Sequence, residues 1–371
     1  MLPDLKVALV GCGQIADAHL QELRRVPHVR VVSVCDRYHD VARQAATRFG
    51  VPHLFDDVDA MLVAMRPDVV HVATPPQTHG IVVRQCLDAG AHVYVEKPFT
   101  SELREARDLV ACAESRGRFI CLGLDQLFDP AWQLCRAIAR SGELGDIVHV
   151  EAVQGYDLTG PFGSLLMTDP QHWVRQLPGG LLQNVLPHTV ARVADFICDE
   201  APRVEAVAYS HVRHAPVATE LRAVIAGART TGSILFSSAI RPVQRTARVF
   251  GVNGSIEVDL DARTVTRTAA AALPGAFAKV ELPLRRALRA GRAAATNLRR
   301  FCRSELQYFE GMRCLFDRFY AAIRSGAEMP ITHAHAVRVT MLLDAILRQY
   351  PTSDTIDQRG RHFGDLEQVP A

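Results

Sequence analysis

The sequence predicts an α/β chain in two parts: a doubly wound parallel sheet, then an α+β unit on a mostly antiparallel open sheet. Three observations predict it. Through residue 125, strand-length apolar runs alternate with amphipathic helical stretches. From Gly145 onward the runs lie closer together, with turn signals between them. The length of 371 residues suits about two domains at roughly 150 residues each. We therefore expect units at residues 1–125 and 126–371.

The elements follow in order. Residues 7–10, 29–34, 69–73, 92–95 and 119–122 are short, apolar and rich in β-branched side chains. Helical stretches at 16–25, 40–49 and 78–89 separate several of them, the last closed by Gly90 as a C-terminal cap. Strands joined by helices at this spacing form βαβ units, so the sheet is parallel with both faces covered. In the second part, one helix is expected at 181–197. Strands are expected at 204–212, 221–226, 233–236, 248–251, 255–260 and 264–268. Asn253-Gly254 is a hairpin signal, because both residues accept positive φ. Amphipathic helices at 305–325 and 334–350 close the chain.

Composition narrows the class. Forty-two basic residues against 40 acidic ones leave a net charge of +2, so there is no global footprint for nucleic acid. No apolar run approaches the roughly 18 residues of a spanning helix, and the start, MLPDLKVALVGCG, lacks a signal-peptide core. Nine scattered cysteines without a Cys-x-x-Cys pair read as reduced, mostly buried thiols. We expect a soluble cytoplasmic protein with no structural metal.

Directly after the first strand stands Gly11-Cys12-Gly13-Gln14-Ile15-Ala16, a G-x-G-x-x-A dinucleotide fingerprint between strand and helix. Gly11 permits the tight turn, Gly13 lets backbone approach a pyrophosphate, and Ala16 lets helix pack on strand. The helix N-terminus faces the anion with N–H groups and a positive dipole end. The first unit is thus a Rossmann domain. The second strand ends at Asp36, placed to accept the adenine-ribose hydroxyls. That favours NAD, while the neighbouring Arg37 leaves NADP open.

Three further segments carry a resemblance. They are Ala73-Thr74-Pro75-Pro76-Gln77-Thr78-His79, Glu96-Lys97-Pro98, and the run Pro178-Gly179-Gly180 through Asn184-Val185-Leu186-Pro187-His188. With the Rossmann start and Gly251-x-x-Gly254-Ser255, they resemble the Gfo/Idh/MocA oxidoreductases (glucose-fructose oxidoreductase, inositol dehydrogenase and relatives) along essentially the whole chain. The resemblance implies an NAD(P)-dependent oxidoreductase acting on a sugar, cyclitol or related polyol, assembled as a homo-oligomer. It places Thr74, Pro75 and His79 beside the cofactor and Glu96 on the nicotinamide ribose. Lys97 would reach both that ribose and a substrate hydroxyl. It makes His188 the proton acceptor and puts residue 184 beside the substrate.

Oxidising a secondary alcohol moves a hydride to nicotinamide and a proton to a base. Histidine suits the base at neutral pH, and a lysine ammonium stabilises the developing alkoxide. Positions 184 and 188 are four apart, on one face of a continuous helix. The family usually carries Asp where this chain has Asn184, and Leu186 and Pro187 also depart from the pattern. The rivals are a redox-neutral NAD-dependent glycosidase or eliminating enzyme, and a non-catalytic nucleotide-sensing regulator.

Tyr156, Asp157, Asp169, His172, Trp173 and Arg175 are further candidates, of which Tyr156, His172 and Trp173 are expected to contact substrate. His333-x-His335 is expected to be exposed at a helix start and not to bind metal. From Leu282 to Arg303 there are seven arginines and no acid, with Leu284, Leu288, Leu298 and Phe301 near helical spacing. A solvated helix face is the first reading; an anionic-membrane or acidic-partner surface and a pocket rim for a phosphorylated substrate are the others.

Overall fold

The computed structural model describes residues 3–210, 215–271 and 273–349. The first unit runs β1 (Leu5–Val10), α1 (Ala16–Leu23), β2 (Val29–Cys35), α2 (His39–Phe49), β3 (His53–Phe55), α3 (Val58–Met65), β4 (Val69–Val72), α4 (His79–Asp88), β5 (His92–Val95), α5 (Leu103–Ser115) and β6 (Ile120–Leu122). Its six parallel strands lie in the order β3-β2-β1-β4-β5-β6. The direction of winding reverses between β1 and β4, and ligands of such sheets bind at the carboxyl ends of the strands around that point. Val7, Leu9, Val70, Val93 and Ile120 are essentially inaccessible. Each such side chain contributes about 1.5–3 kcal/mol by leaving water. The short edge strand β3 lay outside the sequence expectation; His-Leu-Phe is too short to show a period.

The remainder comprises α6 (Pro130–Arg140), β7 (Ile147–Gly155), α7 (Pro161–Thr168), α8 (Gly180–Val185), α9 (Pro187–Ala194), β8 (Arg203–Tyr209), β9 (Glu220–Ala226), β10 (Thr231–Ser237), β11 (Arg245–Gly251), β12 (Gly254–Asp259), β13 (Thr264–Thr268), α10 (Ala276–Cys302), α11 (Glu310–Ser325) and α12 (His333–Leu347). The second sheet has the order β13-β12-β11-β7-β10-β9-β8, antiparallel except for β7 beside β10. Helices α6, α9 and α12 pack on it. Val148, Val207 and Val224 stand exposed on it. The strand and helix ends expected at Val212 and Tyr350 lie outside the described residues.

Three expectations are corrected here. The helix foreseen at 181–197 is two helices, because Pro187 has no N–H to continue α8 and instead opens α9. The hairpin turns one residue early: Gly251 pairs with Gly254, leaving Val252-Asn253 as the loop. His333 and His335 are half-buried rather than exposed. The His333 Nε2 accepts from the Ile120 amide at 3.2 Å, its Nδ1 lies 3.1 Å from Glu114, and His335 faces Asp195 at 4.0 Å.

The closing helices reach back to the first unit, α12 through His333 and α11 through Tyr320 and Phe316, which pack on the aromatic cluster of His19, His71 and Tyr94. All nine cysteines are free, six of them buried.

Candidate active site

The loop from β1 to α1 has the shape the fingerprint predicts. Gly11 sits at φ +94°, and a Cβ there would come within 2.6 Å of the Ala73 backbone, so only glycine lets β1 and β4 end this close together. A Cβ on Gly13 would meet nothing within 4 Å, so this side of the loop is open. Gln14 is exposed beside it, and Ile15, at the cap position before α1, offers no side-chain hydrogen bond, leaving first-turn N–H groups for a ligand. Asp36 is held by two backbone donors, Cys12 N–H at 2.8 Å and Tyr38 N–H at 2.9 Å. Each carboxylate oxygen keeps a lone pair for a ribose hydroxyl. Arg37 lies over the Tyr38 ring, 4.6 Å from its centroid. These residues fit a dinucleotide.

His79 departs from expectation. It has no exposed surface, and its nitrogens face three carbonyls: Nδ1 those of Pro98 and Phe99 at 2.9 and 3.2 Å, Nε2 that of Thr74 at 2.9 Å. Burial drives its pKa down, against those carbonyls and Glu96. His79 therefore ties the Thr74-Pro75 turn to the segment after Lys97 instead of offering a nitrogen to the cleft.

The ends of β5 and β6 bring the charged groups together. Ile15, Glu96, Lys97, Asp125, His188 and Arg245 line a cavity of about 270 Å³, closed on another side by Tyr308 and Phe309. Lys97 Nζ donates to the Asn184 carbonyl at 3.0 Å and to its Oδ1 at 3.3 Å. The break at Pro187 accounts for the first bond, since carbonyls at a helix end lack an intrahelical partner. Asn184 and His188 thus belong to different helices, yet both still flank Lys97. Burial lowers the Lys97 pKa, and Glu96 and Asp125 oppose that shift.

Asp125 is the site residue the sequence reading missed. It stands two residues past Gly123, where the chain leaves the parallel sheet, and that position was its only signal. Its Oδ1 lies 3.6 Å from His188 Nε2. Burial, followed by the charge of Glu96, raises its pKa to about 7 despite Lys97. His188 moves the other way: burial first, then Lys97, Arg192 and Arg245, hold it well below the usual imidazole range. Its Nδ1 is buried with no hydrogen-bond partner among the described residues.

Behind Glu96 runs a second missed feature, a buried polar chain. Glu96 Oε1 lies 3.0 Å from His19 Nε2, His19 Nδ1 2.9 Å from His71 Nδ1, and His71 Nε2 2.8 Å from the Tyr320 hydroxyl. One proton arrangement satisfies every link with neutral rings: Tyr320 donates to His71, His71 to His19, and His19 to Glu96. Burial alone would raise the Glu96 pKa; the hydrogen bond from His19 and the nearby Lys97 charge reverse this and lower it.

The outer candidates divide. The Trp173 carbonyl accepts from Gln77 Nε2 at 2.9 Å, which sets His172 and Trp173 beside the Thr74-Pro75 turn. The Tyr156 hydroxyl is half-buried; burial, then Tyr308, raises its pKa. Asp157 and Asp169 serve local turns, Asp157 bonding Thr159 and pairing with Arg241, Asp169 bonding Gln171. Arg175 is half-buried.

Residues 5–124 match the model of an oxidoreductase family with an NAD-binding Rossmann fold, and residues 132–257 match the C-terminal domain of the same family. The D-glucoside 3-dehydrogenase of Escherichia coli is 33% identical over 144 residues, which is 38% of this chain and 41% of that protein. The matched stretch thus spans about two fifths of that relative's length. Among solved structures, the WlbA dehydrogenase from Bordetella pertussis, in complex with NADH and UDP-GlcNAcA, superposes with a TM-score of 0.76 at 18% identity, covering 94% of this chain and 95% of that one. Levoglucosan dehydrogenase, in complex with NADH and levoglucosan, gives 0.75 at 17% identity over 93% of this chain and 97% of that one. With both domains matched in order, the chain belongs to the Gfo/Idh/MocA family.

Proposed function

We propose that the protein is an NAD-dependent oxidoreductase acting on a CH–OH group of a sugar, cyclitol or related polyol. The observation that carries this is the convergence of Lys97, Asp125 and His188 on one cavity at the carboxyl ends of β5 and β6, beside the glycine loop. The carbohydrate dehydrogenases among its relatives support the substrate class. When bound, the nicotinamide accepts or returns the hydride. Gly11, Gly13, Gln14, Ile15 and Ala16 hold its pyrophosphate end, and Asp36, with Arg37 engaged by Tyr38, selects NAD over NADP.

The chain's own residues manage the oxygen and its proton. Lys97 Nζ, already fixed by Asn184, donates to the substrate oxygen and stabilises negative charge as the proton leaves. His188 is neutral at pH 7 and accepts a proton when the alkoxide forms. Asp125, titrating near 7, faces the imidazolium that results. The carboxylate that Asn184 lacks is thereby supplied from the end of β6.

The test follows NADH absorbance with NAD and a panel of sugars, sugar acids and cyclitols. We expect a sustained rise with one class. Product formation with tightly held cofactor and no net NADH would replace this reading with the redox-neutral one. By analogy with the family, we also propose that the exposed face of the second sheet pairs copies of the chain.

A further inference from the structure

Helix α10 is turned inside out. Its 27 residues carry seven cations against the single acid Glu281. An amphipathic surface helix ordinarily buries its apolar stripe and shows its charges to water. Here the half-buried side turned to the protein is mostly polar, with Leu282 its one large apolar residue. Asn297 Nδ2 donates to the Ala262 carbonyl at 2.7 Å, Arg300 pairs with Glu310 at 2.5 Å, and Arg285 and Arg289 are half-buried. The opposite side carries Phe277, Val280, Leu284, Leu288 and Leu298, spaced three to four residues apart or in multiples of that, and 57–70% exposed. No residue of α10 is buried. Five large apolar side chains therefore lie along one stripe in contact with water.

Charge identifies the cover. Arg286, Arg292 and Arg299 are exposed on the same helix, and among the described residues none of the three meets a carboxylate. Arg292 and Arg299 stand about 60–80° around the helix from the centre of the apolar stripe, by the 100° turn per residue. A second α10 laid against this one would set seven cations against seven. An anionic lipid surface answers both features: acyl chains receive the phenylalanine, valine and leucines, and headgroup phosphates receive the arginines. We propose that α10 is an interfacial anchor that docks the protein on an anionic phospholipid bilayer, apolar stripe inward and Arg292 and Arg299 at headgroup level.

Sedimentation with vesicles tests this, using the full-length protein and phosphatidylglycerol mixed equally with phosphatidylcholine, against phosphatidylcholine alone. The protein is expected to pellet with the anionic vesicles at low salt and not with the neutral ones. The double variant Leu284→Glu, Leu288→Glu should bind at least about tenfold more weakly. Because both positions are exposed, its thermal unfolding should match wild type. Arg292→Glu with Arg299→Glu should weaken binding and flatten its salt dependence. Absence of wild-type binding, or binding unmoved by either double variant, overturns the proposal. So does dissociation of an oligomer by the leucine variant without vesicle binding by the wild type, which would assign the stripe to contact between copies.

Discussion

The ends of β5 and β6 each bring a carboxylate to Lys97, and the two titrate in opposite directions. Glu96 sits at the mouth of the imidazole chain and receives a hydrogen bond from His19, so its pKa falls although it is buried. Asp125, which also feels the Lys97 charge, has no such donor from a histidine and rises to about 7. Burial is common to both; the hydrogen-bond donor differs. One carboxylate becomes a fixed charge that holds the site, the other a group that changes protonation in the working pH range.

The largest break in this comparison is Lys97→Ala, which removes the cation both carboxylates face. Turnover should fall by about 10³-fold while NADH affinity, read by fluorescence titration, stays nearly unchanged. Next is Asp125→Asn. In the oxidation direction wild-type kcat should rise with pH through about 7 as Asp125 ionises. His188, titrating well below that range, does not supply this limb. The variant should lose about 10²-fold in kcat, and the limb near 7 should vanish from its pH profile.

His19→Phe makes the two ends alike. Glu96 loses its donor and its pKa rises, while the His71 Nδ1–H loses its acceptor inside the core. Stability should drop by about 2 kcal/mol in denaturant unfolding. The last effect, of similar size and opposite sign, is again at Asp125. Its folded pKa lies above its unfolded value near 3.8, so the native state prefers the protonated form. The unfavourable contribution is absent at pH 3, grows as pH rises towards 7 and is complete above it. Asp125→Asn should therefore be more stable than wild type by about 1–3 kcal/mol at pH 8 and gain nothing at pH 3, read as Tm against pH.

Contiguous features were legible in the sequence. The glycine loop, Asp36 and Glu96-Lys97-Pro98 owe their meaning to a strand directly before them, and such strands announce themselves by β-branched runs. Asp125 was not legible, because its role depends on β6 lying beside β5 and on α9 carrying His188 over both. Pro187 was visible, but the residues around it read as one apolar helix; only the fold shows the interruption handing the Asn184 carbonyl to Lys97. His79 carried a motif's expectation, whereas it is buried, its nitrogens facing the Thr74 carbonyl before α4 and the Pro98 and Phe99 carbonyls after β5. In α10, periodicity reveals two faces without saying which one points inward.

The imidazole chain has a consequence for how such sequences diverge. Glu96, His19, His71 and Tyr320 come from the end of β5, α1, β4 and α11, and each of the two histidines both donates and accepts within the core. Replacing one member strands its neighbour at a cost of about 1–3 kcal/mol, so lone changes are selected against. Descendants of this chain should keep all four residues or exchange them together for an apolar set. Positions 19, 71, 96 and 320 should accordingly vary as one inherited unit, although as many as 301 residues separate them along the chain.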